Sequence, residues 1–184
     1  MGSAREVVCV TGASSQLGVF LLPRLREAGF RVLALGRNAP LRPLDVADRV
    51  TWMRTGFLVD GERGDQVVRQ PPPDQLVSCG PLDLALRLVL RHPSLQRVVA
   101  FSSSSVLSKA DSKDRQERDR MAVMAADEEA LTIACADRGL PLLLLRPTLI
   151  YGCGMDRNVS LLAELAARFG LIPLAGAAGG LRQP

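Results

Sequence analysis

"VCVTGASSQLG", residues 8 to 18, decides how the chain folds. Strand-forming residues run directly into a turn of small residues, and an apolar helical pattern follows from Leu17. A parallel strand buried on both faces reads as a continuous apolar run, and the turn after it is where the chain bends into a crossover helix. Small residues in such a turn let main-chain N–H groups approach an anion. The following helix aims its positive end at the same place, worth roughly 0.3–1 kcal/mol per exposed anion. The competing reading is a tight strand-to-helix turn that binds nothing. The residues singled out here are Thr11, Gly12, Ser14, Ser15, Gln16, Leu17 and Gly18.

The alternation continues along the chain. Strands are predicted at Val7–Thr11, Arg31–Leu35, Val50–Arg54, Gln75–Cys79, Arg97–Phe101 and Leu142–Leu145. Helical spacing fits Leu17–Ala28, closed by Gly29, then Leu82–Arg91, about Arg120–Arg138, and about Asn158–Phe169. The charged stretch Ser112–Arg120 reads as a solvated loop or the start of a helix, and the polar stretch between the third and fourth strands gives no clear helix. Six strands joined by crossovers, with a glycine turn after the first, specify an α/β fold: a doubly wound parallel sheet of order 3-2-1-4-5-6. Such a sheet binds ligands at the carboxyl ends of its strands, near the switch between the first and fourth.

Composition narrows the class. The 184 residues, 47% hydrophobic and 23% charged, suit one domain with a substantial core. The charge of +4 arises from 23 basic and 19 acidic residues, with the arginines scattered among apolar segments, so no nucleic-acid surface is expected. Cys9, Cys79, Cys135 and Cys153 form no paired motif, and the single histidine, His92, has no neighbour at ligand spacing, which argues against structural zinc and a disulfide framework. The apolar stretch near Leu142 is broken by Arg146 and Pro147, and no leader is visible, so no membrane span and a cytoplasmic location are expected.

Three features together carry a resemblance: the TGxxGxxG-like turn, the run Ser102 to Ser105, and "LLRPTLIYGCGMDRN" from Leu144 to Asn158. The chain resembles the extended short-chain dehydrogenase/reductase family, in particular its NAD(P)-dependent nucleoside-diphosphate-sugar epimerases and dehydratases, in order along essentially its whole length. The resemblance implies an NAD(P)-binding Rossmann-type domain and a nucleotide-sugar substrate. It implies a sixth strand followed by a loop over the nicotinamide side of the cofactor, which places Ser102, Pro147 and Tyr151 beside it. Ser103 falls on the position that polarises the substrate oxygen. Cofactor choice is set after the second strand, where an acid accepts from a ribose 2'-hydroxyl and an arginine pairs with a 2'-phosphate. Here Gly36 replaces the acid and Arg37 follows, favouring NADP over NAD. The family's Gly-Asp-Leu near the adenine is Gly56, Phe57 and Leu58 in this chain, which leaves Phe57 for the core or the base.

The family's tyrosine and lysine, four residues apart, are missing. With Glu128 on the family's glutamate, the lysine position is Met124 and the tyrosine position Arg120; a shift by one gives Ala125 and Met121. A placed acid or base typically contributes about 10²–10⁴ in rate, so hydride-linked chemistry without the pair should be slow unless another group substitutes. Tyr151 and Lys109 are the candidates, each with a plainer reading as a loop anchor and a solvated side chain. The family also continues beyond the point matching Pro184 with a further strand and a small substrate-binding region, so the C-terminal substrate region is expected to be missing here and a sheet edge exposed. Relatives pair through the helices flanking the serine region, making a homodimer possible. Two functions stay open: a nucleotide-sugar oxidoreductase domain, or a non-catalytic NAD(P)-binding sensor or interaction protein.

Overall fold

The computed structural model of the chain describes residues 6–37, 49–54, 71–152, 154–156 and 159–170. Six strands, β1 (Val7–Thr11), β2 (Arg31–Gly36), β3 (Val50–Arg54), β4 (Gln75–Ser78), β5 (Arg97–Phe101) and β6 (Leu142–Leu145), form one sheet in the order β3-β2-β1-β4-β5-β6. Every pairing is parallel: Val8 sits opposite Val32 on one side and Gln75 on the other, and Val98 sits opposite Leu142. The helices are α1 (Gln16–Glu27), α2 (Leu82–Arg91), α3 (Ser105–Ser108), α4 (Arg115–Asp137) and α5 (Val159–Phe169).

Strand alternation sends successive side chains to opposite faces, and each face has its own helical cover. Val8 and Val10 of β1 join Val32, Ala34, Val50 and α1's Leu22 on one side. Val7 and Cys9 join Leu33, Leu35, Leu76 and Val98 on the other, against Leu88 of α2 and Leu131 and Cys135 of α4. All five residues of β1 are buried, as the unbroken apolar run requires. Burial pushes the Cys9 thiol up to about 12, so it is an inert core group, and Cys79 is raised to about 12 for the same reason.

Four predicted elements, β1, β3, β5 and β6, and the helix Leu82–Arg91 coincide with the observed ones to the residue. The other boundaries move: β2 runs on to Gly36, α1 starts at Gln16, α4 stops at Asp137 and α5 starts at Val159. α1 ends one residue earlier, with Ala28 as its cap and Gly29, at φ +91°, just beyond. β4 stops at Ser78. α4 begins at Arg115 because the Asp114 carboxylate accepts the Gln116 N–H at 2.8 Å, an N-cap hidden inside the charged stretch. The short α3 follows the serine run, a turn too brief for periodicity to reveal. Pro40, Pro43, Gly56, Phe57 and Leu58 lie outside the described residues.

Among the described residues, β6 is covered on one side only. Leu142 and Leu144 pack against the α2/α4 core, whereas Leu143 is 54% and Leu145 37% exposed. No helix among the described residues is long and apolar enough to cross a membrane. The asymmetry gives a stability test. Leu131→Ala, at a fully buried site, should lose about 2–5 kcal/mol in urea unfolding, while Leu143→Ala should stay within about 0.5 kcal/mol of the parent. Equal losses would mean that the outer face of β6 is covered in solution.

Candidate functional site

The carboxyl ends of β1 and β4 meet at the turn quoted above. Gly12 has φ +61°, a left-handed conformation that favours glycine, and a side-chain carbon there would fall 2.7 Å from the Gly80 nitrogen and closer still to the Cys79 carbonyl. Gly18 is equally constrained, since a side chain would strike the Ala13 backbone. Thr11 is fully buried, and its Oγ1 lies 3.0 Å from Ser78 Oγ, so this hydroxyl ties β1 to β4.

Ser15 caps α1: its Oγ accepts the Gly18 N–H at 3.2 Å, and its carbonyl accepts the Val19 N–H at 3.0 Å. Ala13 N–H donates to Leu35 O and Ser15 N–H to Gly12 O. The N–H groups of Ser14, Gln16 and Leu17 find no acceptor among the described residues. Three donors without an acceptor among the described residues lie at the positive end of a twelve-residue helix, an arrangement that suits an anion. Leu17, half-buried, contributes its N–H to this cradle.

β5 and β6 deliver the other candidates. Ser102 N–H donates to Leu145 O at 2.8 Å and Ser104 N–H to Pro147 O at 3.0 Å, which locks the serine run to the segment after β6. Ser103 Oγ accepts the Ser105 N–H at 3.2 Å, a local turn that leaves its own O–H free to donate. Tyr151 is 48% exposed. Gln16 Nε2 donates to Gly152 O at 2.9 Å, joining the two loops. Gly152 N–H and the N–H and hydroxyl of Ser160 all donate to the Asp156 carboxylate, which pulls its pKa from 3.8 to about 2, with the Ser160 amide the largest influence. Neither the Gln16 link nor the Asp156 ring was read from the sequence; the Asp-x-x-x-Ser spacing ahead of α5 was the available signal.

Glu128 anchors α4 to β6. Its buried carboxylate receives Arg146 Nε at 3.0 and 3.1 Å and a terminal Arg146 nitrogen at 2.6 Å. The arginine holds the Glu128 carboxyl below its usual range against the opposing effect of burial, and the nearby Ser102 hydroxyl adds to the depression without reaching hydrogen-bond geometry. With the helix fixed there, one turn back is Met124, half-buried, and two turns back is Arg120, exposed, with Nε donating to Gln116 O at 3.1 Å. In the register shifted by one, Ala125 is exposed and Met121 half-buried. Neither register presents a tyrosine or lysine. Lys109 is paired with Glu117, whose other oxygen accepts from Ser112 at 2.6 Å; the ammonium and the hydroxyl together hold Glu117 below its usual range.

Arg37 is exposed just past the carboxyl end of β2, with no ion pair among the described residues. Cys153 is outside those residues, and among them no group of three or more His, Cys, Asp or Glu is placed to hold a metal ion. The His92 ring, half-buried, is held below its usual pKa by burial and by Arg91, far from these loops in sequence.

No protein-family model and no curated protein matches the chain in sequence. Solved structures match its fold. It is similar to dTDP-glucose 4,6-dehydratase from Bacillus anthracis in complex with NAD, at TM-score 0.71 and 14% identity over 94% of the chain. It is also similar to the Bordetella bronchiseptica enzyme WbmH in complex with NAD+, at TM-score 0.65 and 17% identity over 90% of the chain. A third likeness is MoeE5 in complex with UDP-glucose and NAD, at TM-score 0.64 and 23% identity over 88%. The chain spans 64%, 64% and 61% of these three proteins. The fold is therefore a six-stranded, all-parallel Rossmann-type sheet, shared with these proteins.

The buried ion pair gives an asymmetric prediction. The Glu128 side chain is 6% exposed and that of Arg146 40%, so an orphaned arginine can rehydrate and an orphaned carboxylate cannot. Arg146→Met should cost about 3–5 kcal/mol in urea unfolding at pH 7, more than Glu128→Gln. In the parent the folded carboxyl titrates below its ordinary 4.5, so the pair's contribution is complete above that value and is lost as pH falls through the lower folded value. Equal costs for both variants would contradict the burial difference.

Proposed function

We propose that the chain is the NAD(P)-binding part of an extended short-chain dehydrogenase/reductase that acts on a nucleotide-sugar. The single observation that carries this reading is the cradle at the end of β1, where Gly12 and Gly18 exclude side chains and the Ser14, Gln16 and Leu17 N–H groups are unspent. It fits a dinucleotide pyrophosphate, lying at the switch between β1 and β4 where such a fold binds its ligand. Bound nicotinamide would accept and donate hydride. In that arrangement the Ser103 hydroxyl donates to the oxygen borne by the substrate carbon that is oxidised or reduced. Ser102, Pro147 and Tyr151 wall the nicotinamide side.

NADP is the preferred cofactor on the strength of Arg37, exposed directly after β2 with Gly36 in place of an acid. A cytoplasmic setting accords with the free thiols of Cys9, Cys79 and Cys135. A homodimer through α2 and α4 accords with the exposed Leu90, Val123 and Ile133. A second reading rests on Arg120 and Met124: with neither a phenol nor an amine at those positions, the chain holds the nucleotide without turning it over, as a sensor or interaction module.

Calorimetric titration of the full chain with NADPH and, separately, NADH tests the first reading. Saturable binding, tighter for NADPH, is expected, and Arg37→Ala should weaken NADPH about tenfold, or ~1.4 kcal/mol, while sparing NADH. No binding to either by the folded chain sinks the cofactor assignment, and equal losses for both remove the 2'-phosphate argument. Redox change or epimer exchange with UDP- and dTDP-sugars, weakened by Ser103→Ala, favours the enzyme; firm binding with no turnover favours the sensor.

A further inference from the structure

The hydrogen bond from Gln16 to Gly152 joins residues 136 positions apart. In the sheet, β1 and β6 are separated by β4 and β5, so their ends stand three strand spacings apart, about 14 Å. The segment after β6 therefore crosses the carboxyl ends of two strands to reach the first residue of α1. Gly152 can do so at φ +116°, and a side chain there would meet nothing, so this glycine serves conformation and not space. Its N–H is held by Asp156, which also binds Ser160 near the start of α5. Gln16 thus closes a chain of bonds running from the cradle through Gly152 and Asp156 to α5.

We propose that Gln16 is a positioning residue of the cofactor pocket: its amide side chain is committed to Gly152 and holds the Tyr151–Gly152 segment across the strand ends. Its backbone N–H is an unspent donor of the cradle, so one residue couples the pyrophosphate end of the pocket to its nicotinamide wall. This inference rests on the NAD(P) reading above. It separates two roles that substitution can distinguish, since Gln16→Glu and Gln16→Leu both keep the backbone N–H and remove the side-chain donor.

The test uses the full chain. NADH and NADPH are titrated separately against the parent, Gln16→Glu and Gln16→Leu, and amide exchange of Gly152 and Ser160 is followed without cofactor. Both variants should bind both cofactors about 2- to 10-fold more weakly, through faster dissociation, with no discrimination over the 2'-phosphate. Exchange at Gly152 should quicken in both while the amides of β1 stay protected, which a general loss of stability would not produce. Unchanged affinity with quickened exchange, or unchanged exchange, overturns the proposal. A parent that binds neither cofactor removes the NAD(P) reading and this role with it, and the exchange comparison then shows separately whether the Gln16 link itself exists in solution.

Discussion

The site depends on how closely two strand ends approach. β1 is buried on both faces and its terminal turn presses onto the end of β4, with Gly12 so near Cys79 and Gly80 that no side-chain carbon fits between them. That contact is backbone on backbone. It fixes where α1 begins and places the first N–H groups of α1, without acceptors among the described residues, at the topological switch of the sheet. The buried Thr11–Ser78 hydroxyl pair supports the same junction, using side chains that a reading for ligand contacts would assign to the ligand.

Around this junction the polar groups fall into two sets. Some are consumed in holding the scaffold: Glu128 with Arg146, Asp156 with Gly152 and Ser160, Lys109 with Glu117. Others remain available: the three cradle amides, the Ser103 hydroxyl and the Arg37 guanidinium. The available set suits recognition of an anionic nucleotide more than proton transfer. The anchored Glu128 sharpens that contrast, because it fixes the rotation of α4 and leaves Met124 and Arg120 one and two turns before it. Lys109, committed to Glu117, is a poor replacement for the missing base.

Much of this was legible in the sequence, for identifiable reasons. β1, buried on both faces, announces itself as a continuous apolar run, and the short apolar or β-branched runs of β3, β5 and β6, separated by crossover segments, carried the sheet order. The start of α4 was not legible, because Asp114 caps it inside a charged segment with no apolar periodicity. The links from Gln16 to Gly152 and from Glu128 to Arg146 span 136 and 18 residues, and nothing local encodes which polar side chain finds which partner. The expected exposed sheet edge concerns strand pairing, and β6 is the last strand of the described sheet; the exposure of its Leu143 and Leu145 face is a separate feature that the sequence did not announce.

A nucleotide seated on the turn from Gly12 to Gly18 must perturb the amides that line it. Amide resonances of the full chain recorded during titration with NADPH test this seating most directly, because they report each donor separately. The largest shifts are expected at Ser14, Gln16 and Leu17, with smaller ones at Ser103 and Gly152 across the strand ends. Shifts confined to other surfaces, or none at saturating nucleotide in a folded chain, would contradict it.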